Sequence, residues 1–567
     1  MMGAMITRRF SRCRPLEFAV VLLIASVAAV AQAEEPAVLF SRGVGLLNQG
    51  NAADARVLLD RVLAADPNFT AAYRFRGMAA YEVKDYAGAI ADFTKFLESA
   101  PDDAYVLVRR ANAHADAGDA ERAIDDLNAA IRLQPLYDYG YVGRAEFLLS
   151  RGDVAGALAD FDRAVELNPR QVAALVGRGD AKLTLGRAVD ATQDFTLAIE
   201  IDPNDPLKFL LRSRARKLAG NLADAAADCD AAIKLRDDMP AAYIDRGNLW
   251  NDRGNYDQAL ADYNRALELE PTNTTALVNR ASTKRVLKQF DAALVDAQRA
   301  IEIDPKHHEA YRVRARIYED RGELEAAAGG YTVVLQLRPD DVAALVRRAG
   351  IHQLRERYQE AEADYARAAT LAPRDPQILL YRGGMQLARG RWDDAIADFT
   401  AALAIDDSLA EAFYNRAHAR LEKGDVAAAL ADYDRAIGLN PGDAEFYINR
   451  GAAREANDDL PGAAADYDAA LKLDAGMALA YCNRGDVRRR LGKLDDALAD
   501  LNRAVELDSK LAWAYAARGL TLLALGRGDR GRADFQEARR LDSSLDPDLA
   551  EEMKQVEAGR RAAGSGS

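Results

Sequence analysis

Cysteine is almost missing from this chain: there are three in 567 residues, at Cys13, Cys229 and Cys482. The last two stand far apart in sequence, which argues against a structural disulfide and excludes a disulfide framework. Histidine is nearly as scarce, with five, at His114, His307, His308, His352 and His418. Only His307 and His308 are neighbours, and adjacent residues do not share a helix face, so no metal site is expected. Excess positive charge is also lacking. The net charge is −14, and a chain of that sign is a poor binder of phosphate backbones, so nucleic acid is not an expected partner. No Gly-rich phosphate loop and no nucleophile elbow occurs, and acidic pairs such as Asp102-Asp103 and Asp495-Asp496 read as solvated surface. No enzyme and no cofactor are expected. Aromatics make up only 7% of the chain while Ala and Leu abound, a balance that favours helices.

Long apolar runs are likewise missing, with one exception. Arg8, Arg9, Arg12 and Arg14 precede an apolar stretch from Phe18 to Val30, and Ala31-Gln32-Ala33 follows. A basic start, a short apolar core and an A-x-A ending describe a secretory signal peptide over residues 1–33, cut after Ala33. The alternative is an uncleaved anchor in the inner membrane, for which the run is short against the roughly 20 residues a span requires. Removing residues 1–33 takes away four Arg and one Glu and moves the formal charge from −14 to −17. The expected location is periplasmic or secreted, with no membrane span once the signal is cleaved.

What the chain has is repetition. Prolines at 67, 101, 135, 169, 203, 271, 305, 339, 373 and 441 fall on one grid of 34 residues, and the grid runs on through Asp237, Asp407, Ala475, Ser509 and Ser543. Fifteen units follow without insertion or deletion over residues 36–545. Numbering each unit so that the grid residue is position 32, position 8 is always small, from Gly43 to Gly519, and position 20 is Ala in all units but the last, which has Gly531. Position 4 is always Leu, Tyr or Phe, and position 24 is mostly aromatic or Leu. Small residues at 8 and 20 with large ones at 4 and 24 describe two closely packed helices. Gly at position 15 in eleven units supplies a left-handed turn after the first helix. Pro461 falls at the start of a second helix and the grid prolines stop one, each where a missing N–H is tolerated.

This pattern resembles the tetratricopeptide repeat, and the resemblance covers residues 36–545. It implies an all-α fold: a right-handed superhelical solenoid of about fifteen helix-turn-helix repeats, closed by a capping helix within residues 546–567 and ending in a disordered tail. One column departs from the family, which favours an aliphatic residue at position 7. Here position 7 is Arg in all fifteen units, and position 23 is Asp in thirteen, Leu58 and Gly330 being the exceptions. Arg246 with Asp262 and Arg416 with Asp432 exemplify the column. A guanidinium fork matches a carboxylate bidentately, so the column reads as a structural ladder that sets register, with pairing inside a repeat or to the one before left open.

The resemblance further implies that the first helices line a groove through positions 2, 5, 9, 12 and 13, where peptides or partner proteins bind. The family's carboxylate clamp, Lys at 5 with Asn at 9, is absent: Val108 precedes Asn112 and Ile244 precedes Asn248. Instead units 6 to 9 place Arg214, Lys217, Asn248, Asn251, Arg285, Arg312 and Arg316 on these positions, a basic and amide-lined stretch suited to an acidic or carboxylate-bearing protein or peptide. Tyr105 and Tyr139 at position 2 offer apolar or stacking contacts. The expected function is a non-catalytic interaction scaffold of the cell envelope. The alternative is an accessory subunit of an envelope enzyme or of a polysaccharide or cytochrome export and maturation machine.

Overall fold

A computed structural model describes residues 35–545 together with Met553, Lys554 and Val556. The expected signal peptide lies outside the described residues, as does most of the segment after Asp546. Among the described residues there are thirty α-helices, from Pro36–Asn48 to Gly528–Leu541, and no strand. They alternate on the 34-residue grid. In repeat 7 the first helix is Pro240–Asp252, of 13 residues, and the second is Tyr256–Leu269, of 14. The described residues form two compact units, divided between Thr283 and Lys284.

Local chemistry sets where each helix stops and restarts. The turn after the first helix passes through the left-handed region at every repeat, with Gly254 at φ +75°. Where the repeat has no Gly, Lys84, Lys288, Glu356 and Asp458 take the same conformation at φ 58° to 63°. The tertiary fold therefore imposes the turn even on side chains that disfavour it by about 1–2 kcal/mol. One residue later an Asp commonly caps the second helix: Asp85, Asp119 and Asp153 each accept the backbone N–H three residues on. Leaving the second helix, the chain bends at the grid residue. The Tyr at position 4 of the next repeat ties this bend down, Tyr73 donating to the Pro67 carbonyl and Tyr141 to that of Pro135.

The small residues at position 8 sit where the large residue at position 24 presses across. A Cβ on Gly247 would stand 2.7 Å from the Tyr263 ring, and one on Gly77 would stand 2.8 Å from Phe93. Contacts between successive repeats then build the core. In the first unit Phe93, Phe96 and Leu97 of repeat 2 pack with Leu107, Val108 and Leu127 of repeat 3. In the second unit Tyr331 and Val334 of repeat 9 pack with Leu345, Ile351 and Tyr365 of repeat 10. Each such side chain contributes about 1.5–3 kcal/mol by burial, and part of that burial comes only from the adjoining repeat. At the last apolar cluster, Met553 and Val556 pack beside Leu520, Leu523 and Phe535.

The ladder pairs in both of the ways left open by the sequence. Arg246 grips Asp262 of its own repeat through Nε and Nη2, at 2.9 and 2.6 Å, and its Nη1 donates to Asp230 of the preceding repeat at 2.6 Å. Arg416 does the same with Asp432, at 2.9 and 2.7 Å, and with Thr400 at 3.0 Å. The backward acceptor is always at position 25 and its chemistry varies: Asp60 for Arg76, Asn128 for Arg144, Thr332 for Arg348. At repeat 11 that position is Ala366, and Arg382 bonds Asp398 alone. The aromatic residue at position 4 stacks beneath the guanidinium, with Tyr243 5.6 Å from Arg246. Asp262 is 6% exposed, so Arg246 supplies hydrogen bonds that water cannot. The short Asp262 contact in turn holds the guanidinium proton more tightly than usual.

Repeat 9 breaks the ladder. Gly330 replaces the Asp, and a Cβ there would stand 2.8 Å from the Ala315 Cβ. Arg314 keeps its backward bond to Gln298, at 2.8 Å, while its Nε has no hydrogen-bond partner.

Candidate partner-binding surface

Positions 2, 5, 9, 12 and 13 lie on the first helices of the repeats. In the first unit the helices Thr70–Glu82 and Ala104–Asp116 build an alternating stack. Arg74 lies 4.6 Å from the Tyr105 ring, and Arg109 lies 5.7 Å from Tyr105 and 5.9 Å from Tyr81. Tyr81 donates to Asp116 at 2.6 Å, and burial together with that bond pushes its hydroxyl above the ordinary tyrosine value. Tyr105 is thus half-buried and engaged. Tyr139 is 52% exposed, its ring 5.8 Å from that of Tyr137 between centres.

The basic stretch is less basic in space than in sequence. Within the first unit, Arg214 pairs with Asp245 at 2.9 Å and Lys217 with Asp252 at 2.8 Å. Burial raises the Asp245 carboxyl, and Arg214 opposes this. The amides are used as well. Asn248 accepts from the Tyr263 hydroxyl and from Asn279, both at 2.8 Å, and Asn251 accepts from Thr283 at 2.9 Å. In the second unit Arg285 pairs with Asp320, and Arg312 pairs with Asp341 and with Glu309. Of the seven residues, six are therefore engaged, the four cations Arg214, Lys217, Arg285 and Arg312 by carboxylates and the two amides by hydroxyls and an amide. The four ion pairs cancel most of the excess charge that these positions carry in sequence.

Arg316 is different. It sits in the helix His308–Asp320, half-buried, with no hydrogen bond or ion pair among the described residues. Burial pushes its guanidinium below the ordinary arginine value, and the like charges of Arg285 and Arg347 act in the same direction. The acids that could neutralise it are taken. Glu319 accepts from the Tyr331 hydroxyl at 2.7 Å and from Arg347 at 3.2 Å, and Asp320 holds Arg285. Arg316 is thus a cation surrounded by satisfied partners, an arrangement that favours a carboxylate arriving from outside.

A second feature of this surface was not singled out by sequence reasoning. At the far end of the second unit a cavity of about 520 Å³ is lined by Glu455, Asn483, Asp486, Arg489, Arg490 and Trp513, with Val556 at its edge. Arg490 pairs with Glu455 at 3.1 Å and Arg489 with Asp486 at 2.8 Å. Burial raises the Glu455 carboxyl. The available signal was Trp513, the lone Trp at position 2 across the fifteen units.

Other expected residues fall outside any site. His307 caps a helix by accepting the Ala310 N–H, and Cys229 and Cys482 are free and buried. Among the described residues no group of three or more His, Cys, Asp or Glu could hold a metal ion, and no helix is long and apolar enough to cross a membrane.

Comparison with known proteins agrees with the geometry. A tetratricopeptide-repeat family model matches residues 40–104, 108–170, 142–206, 279–342, 352–410 and 414–478, more than half of the chain. Two further models of such repeats match residues 240–273 and 485–526. No curated protein matches in sequence. Among solved structures, yeast Tom70 is 19% identical over 69% of this chain and 96% of its own, with a TM-score of 0.39. The Cut9–Hcn1 hetero-tetramer of the APC/C is 18% identical over 86% of this chain and 96% of its own, with a TM-score of 0.45. YrrB, a repeat protein described as having an unusual peptide-binding site, is 23% identical over 32% of this chain and 95% of its own, with a TM-score of 0.28. The fifteen helix pairs, the small-to-large packing and the matching family models all lead to one assignment: the chain belongs to the tetratricopeptide-repeat family.

Proposed function

We propose that the protein is a non-catalytic scaffold of the cell envelope that binds an acidic segment of a partner protein along its first helices. The observation that carries this reading is Arg316, the one cation of the expected basic stretch without a partner among the described residues, placed beside Arg285 and Arg347. A carboxylate set there gains a charge-assisted hydrogen bond and relieves the repulsion among the three guanidinium groups. The N-terminal basic and apolar pattern supports export. The cavity beside Trp513 offers the same surface an aromatic anchor point.

Crosslinking the intact chain in its native envelope, with wild type and an Arg316→Glu variant side by side, tests the reading. The expected result is a discrete captured protein whose yield falls about tenfold in the variant, the loss of one charge-assisted contact and its replacement by repulsion. Equal capture by both forms removes Arg316 from the interface and with it the acidic-partner assignment.

A further inference from the structure

The broken rung of the ladder has a chemistry of its own. In the cleft between the second helices of repeats 14 and 15, Arg518 donates from Nε and Nη2 to Asp534, at 2.7 and 2.8 Å, and from Nη1 to Asn502 at 3.2 Å. The equivalent cleft beside repeat 9 contains Arg314 with its Nη1 on Gln298 and no carboxylate on the opposite edge. The reason is in the sequence "AAAGGY": Gly329 and Gly330 remove both side chains that would fill this part of the second helix Leu324–Leu337. A Cβ on Gly329 would meet nothing within 4 Å, so the space beside it is open.

Beside Arg314 lies a cleft of about 480 Å³ whose walls are largely apolar, formed by Leu294, Val295 and Tyr318, with Gln298, Arg299 and Glu302 also lining it. Val295 is 68% exposed, an aliphatic side chain left in water beside a guanidinium. Glu302 does not serve Arg314, because it accepts from Arg299 at 3.3 Å. The cleft therefore combines a cation short of one carboxylate, an apolar wall without cover, and rim groups able to hydrogen-bond a peptide backbone. An aliphatic amphiphile would leave those rim groups unused. An acidic side chain next to an apolar one uses all three features.

We propose that this cleft receives an Asp or Glu flanked by an aliphatic residue from a partner protein, the carboxylate meeting the Arg314 guanidinium from the cleft side and supplying the counter-charge that Asp534 gives Arg518. The site lies between the second helix of repeat 8, Phe290–Ile303, and the first helix of repeat 9, His308–Asp320, which also carries Arg316; Arg316 does not line it, so the two proposals stand or fall separately.

The test titrates the intact chain with the blocked peptide acetyl-Ala-Leu-Glu-Leu-Ala-amide and its Gln counterpart, followed by calorimetry. The expected result is binding of the Glu peptide about tenfold tighter than the Gln peptide, the size of one charge-assisted hydrogen bond. Measured in the Arg316→Glu background, where the first-helix cation is gone, the preference persists and Arg314→Leu erases it, whereas Arg518→Leu keeps it. Val295→Glu, at an exposed position where folding is not at stake, weakens the Glu peptide and spares the Gln peptide. Equal binding of the two peptides, binding of neither, or a preference that survives Arg314→Leu overturns the proposal. Capture of octanoate without the Glu peptide also overturns it, in favour of a small amphiphile.

Discussion

Repeats 7 and 9 carry the same arginine on the same register and treat it in opposite ways. In repeat 7 the guanidinium of Arg246 is fully engaged, with two donors on Asp262 and one on Asp230. In repeat 9 Arg314 keeps only the backward bond, and Gly330 lets the second helix approach Ala315 too closely for any side chain. Both repeats keep their helix pair, their left-handed Gly and their buried Tyr, Tyr263 or Tyr331. The ladder is thus dispensable for the repeat as a shape. What it controls is where charge is satisfied, and where a cation is left over for something else.

The largest expected effect separates the two arginines directly. Asp262→Ala leaves Arg246 partly buried without its main counter-charge and costs about 3 kcal/mol, the lower end for breaking a buried pair. Arg314→Leu removes a charge already short of a partner and changes stability by no more than about 0.5 kcal/mol. Native-state hydrogen exchange of amides in repeats 7 and 9 reads both, since a solenoid opens locally. Equal losses at the two sites would mean that other contacts in repeat 9 make good the missing Asp.

A smaller effect tests whether the difference is confined to the ladder. Gly254→Lys and Gly322→Lys each put a side chain at a left-handed turn and each cost about 1 kcal/mol. Lys288→Gly, in the reverse sense, gains about as much. Urea midpoints that shift unequally for the two Gly variants would show that repeat 9 differs in its turn as well.

The smallest effect is a pH dependence found in neither repeat. Position 11 is Trp250 in repeat 7 and Tyr318 in repeat 9, but His114 in repeat 3 and His352 in repeat 10. Burial lowers both imidazoles below their ordinary 6.5, and Asp126 and Asp364, the principal acids facing each, oppose this only in part. A lowered folded value means that the unfolded chain takes up the proton first. Stability present above pH 6.5 is therefore lost as pH falls through the lowered value. Thermal unfolding at pH 7 and pH 5 should show a smaller loss for the His114→Gln, His352→Gln double variant than for wild type. An unchanged loss would place the titration elsewhere.

The sequence made the repeat legible because fifteen copies state the same packing problem. Positions 4, 8, 20 and 24 have one solution in size, and Arg at 7 with Asp at 23 has one in charge. The backward bond was not legible because its acceptor is Asp, Thr, Asn or Gln in different repeats, so no single residue type marks the column. The groove cations misled for a related reason. Their acids, Asp245, Asp252, Asp320 and Asp341, occupy three different positions of the repeat, and only the fold brings each to its partner. Arg316 had the same appearance in sequence as Arg312, and only the geometry separates the unpaired one from the paired.

The backward reach of the ladder also bears on how such a chain is made. A ribosome delivers repeats in order, so the position-25 acceptor of each arginine has already emerged when that arginine appears. The carboxylate that completes the grip arrives 16 residues later, still within the same helix pair. Each new repeat can therefore settle on the finished one behind it, as a course of bricks is laid on the last, without waiting for anything downstream. At Arg382 that foothold is missing, because Ala366 offers no acceptor. There repeat 11 holds the repeat behind it by a different grip, Gln386, Arg389 and Arg391 all donating to Glu362 of repeat 10.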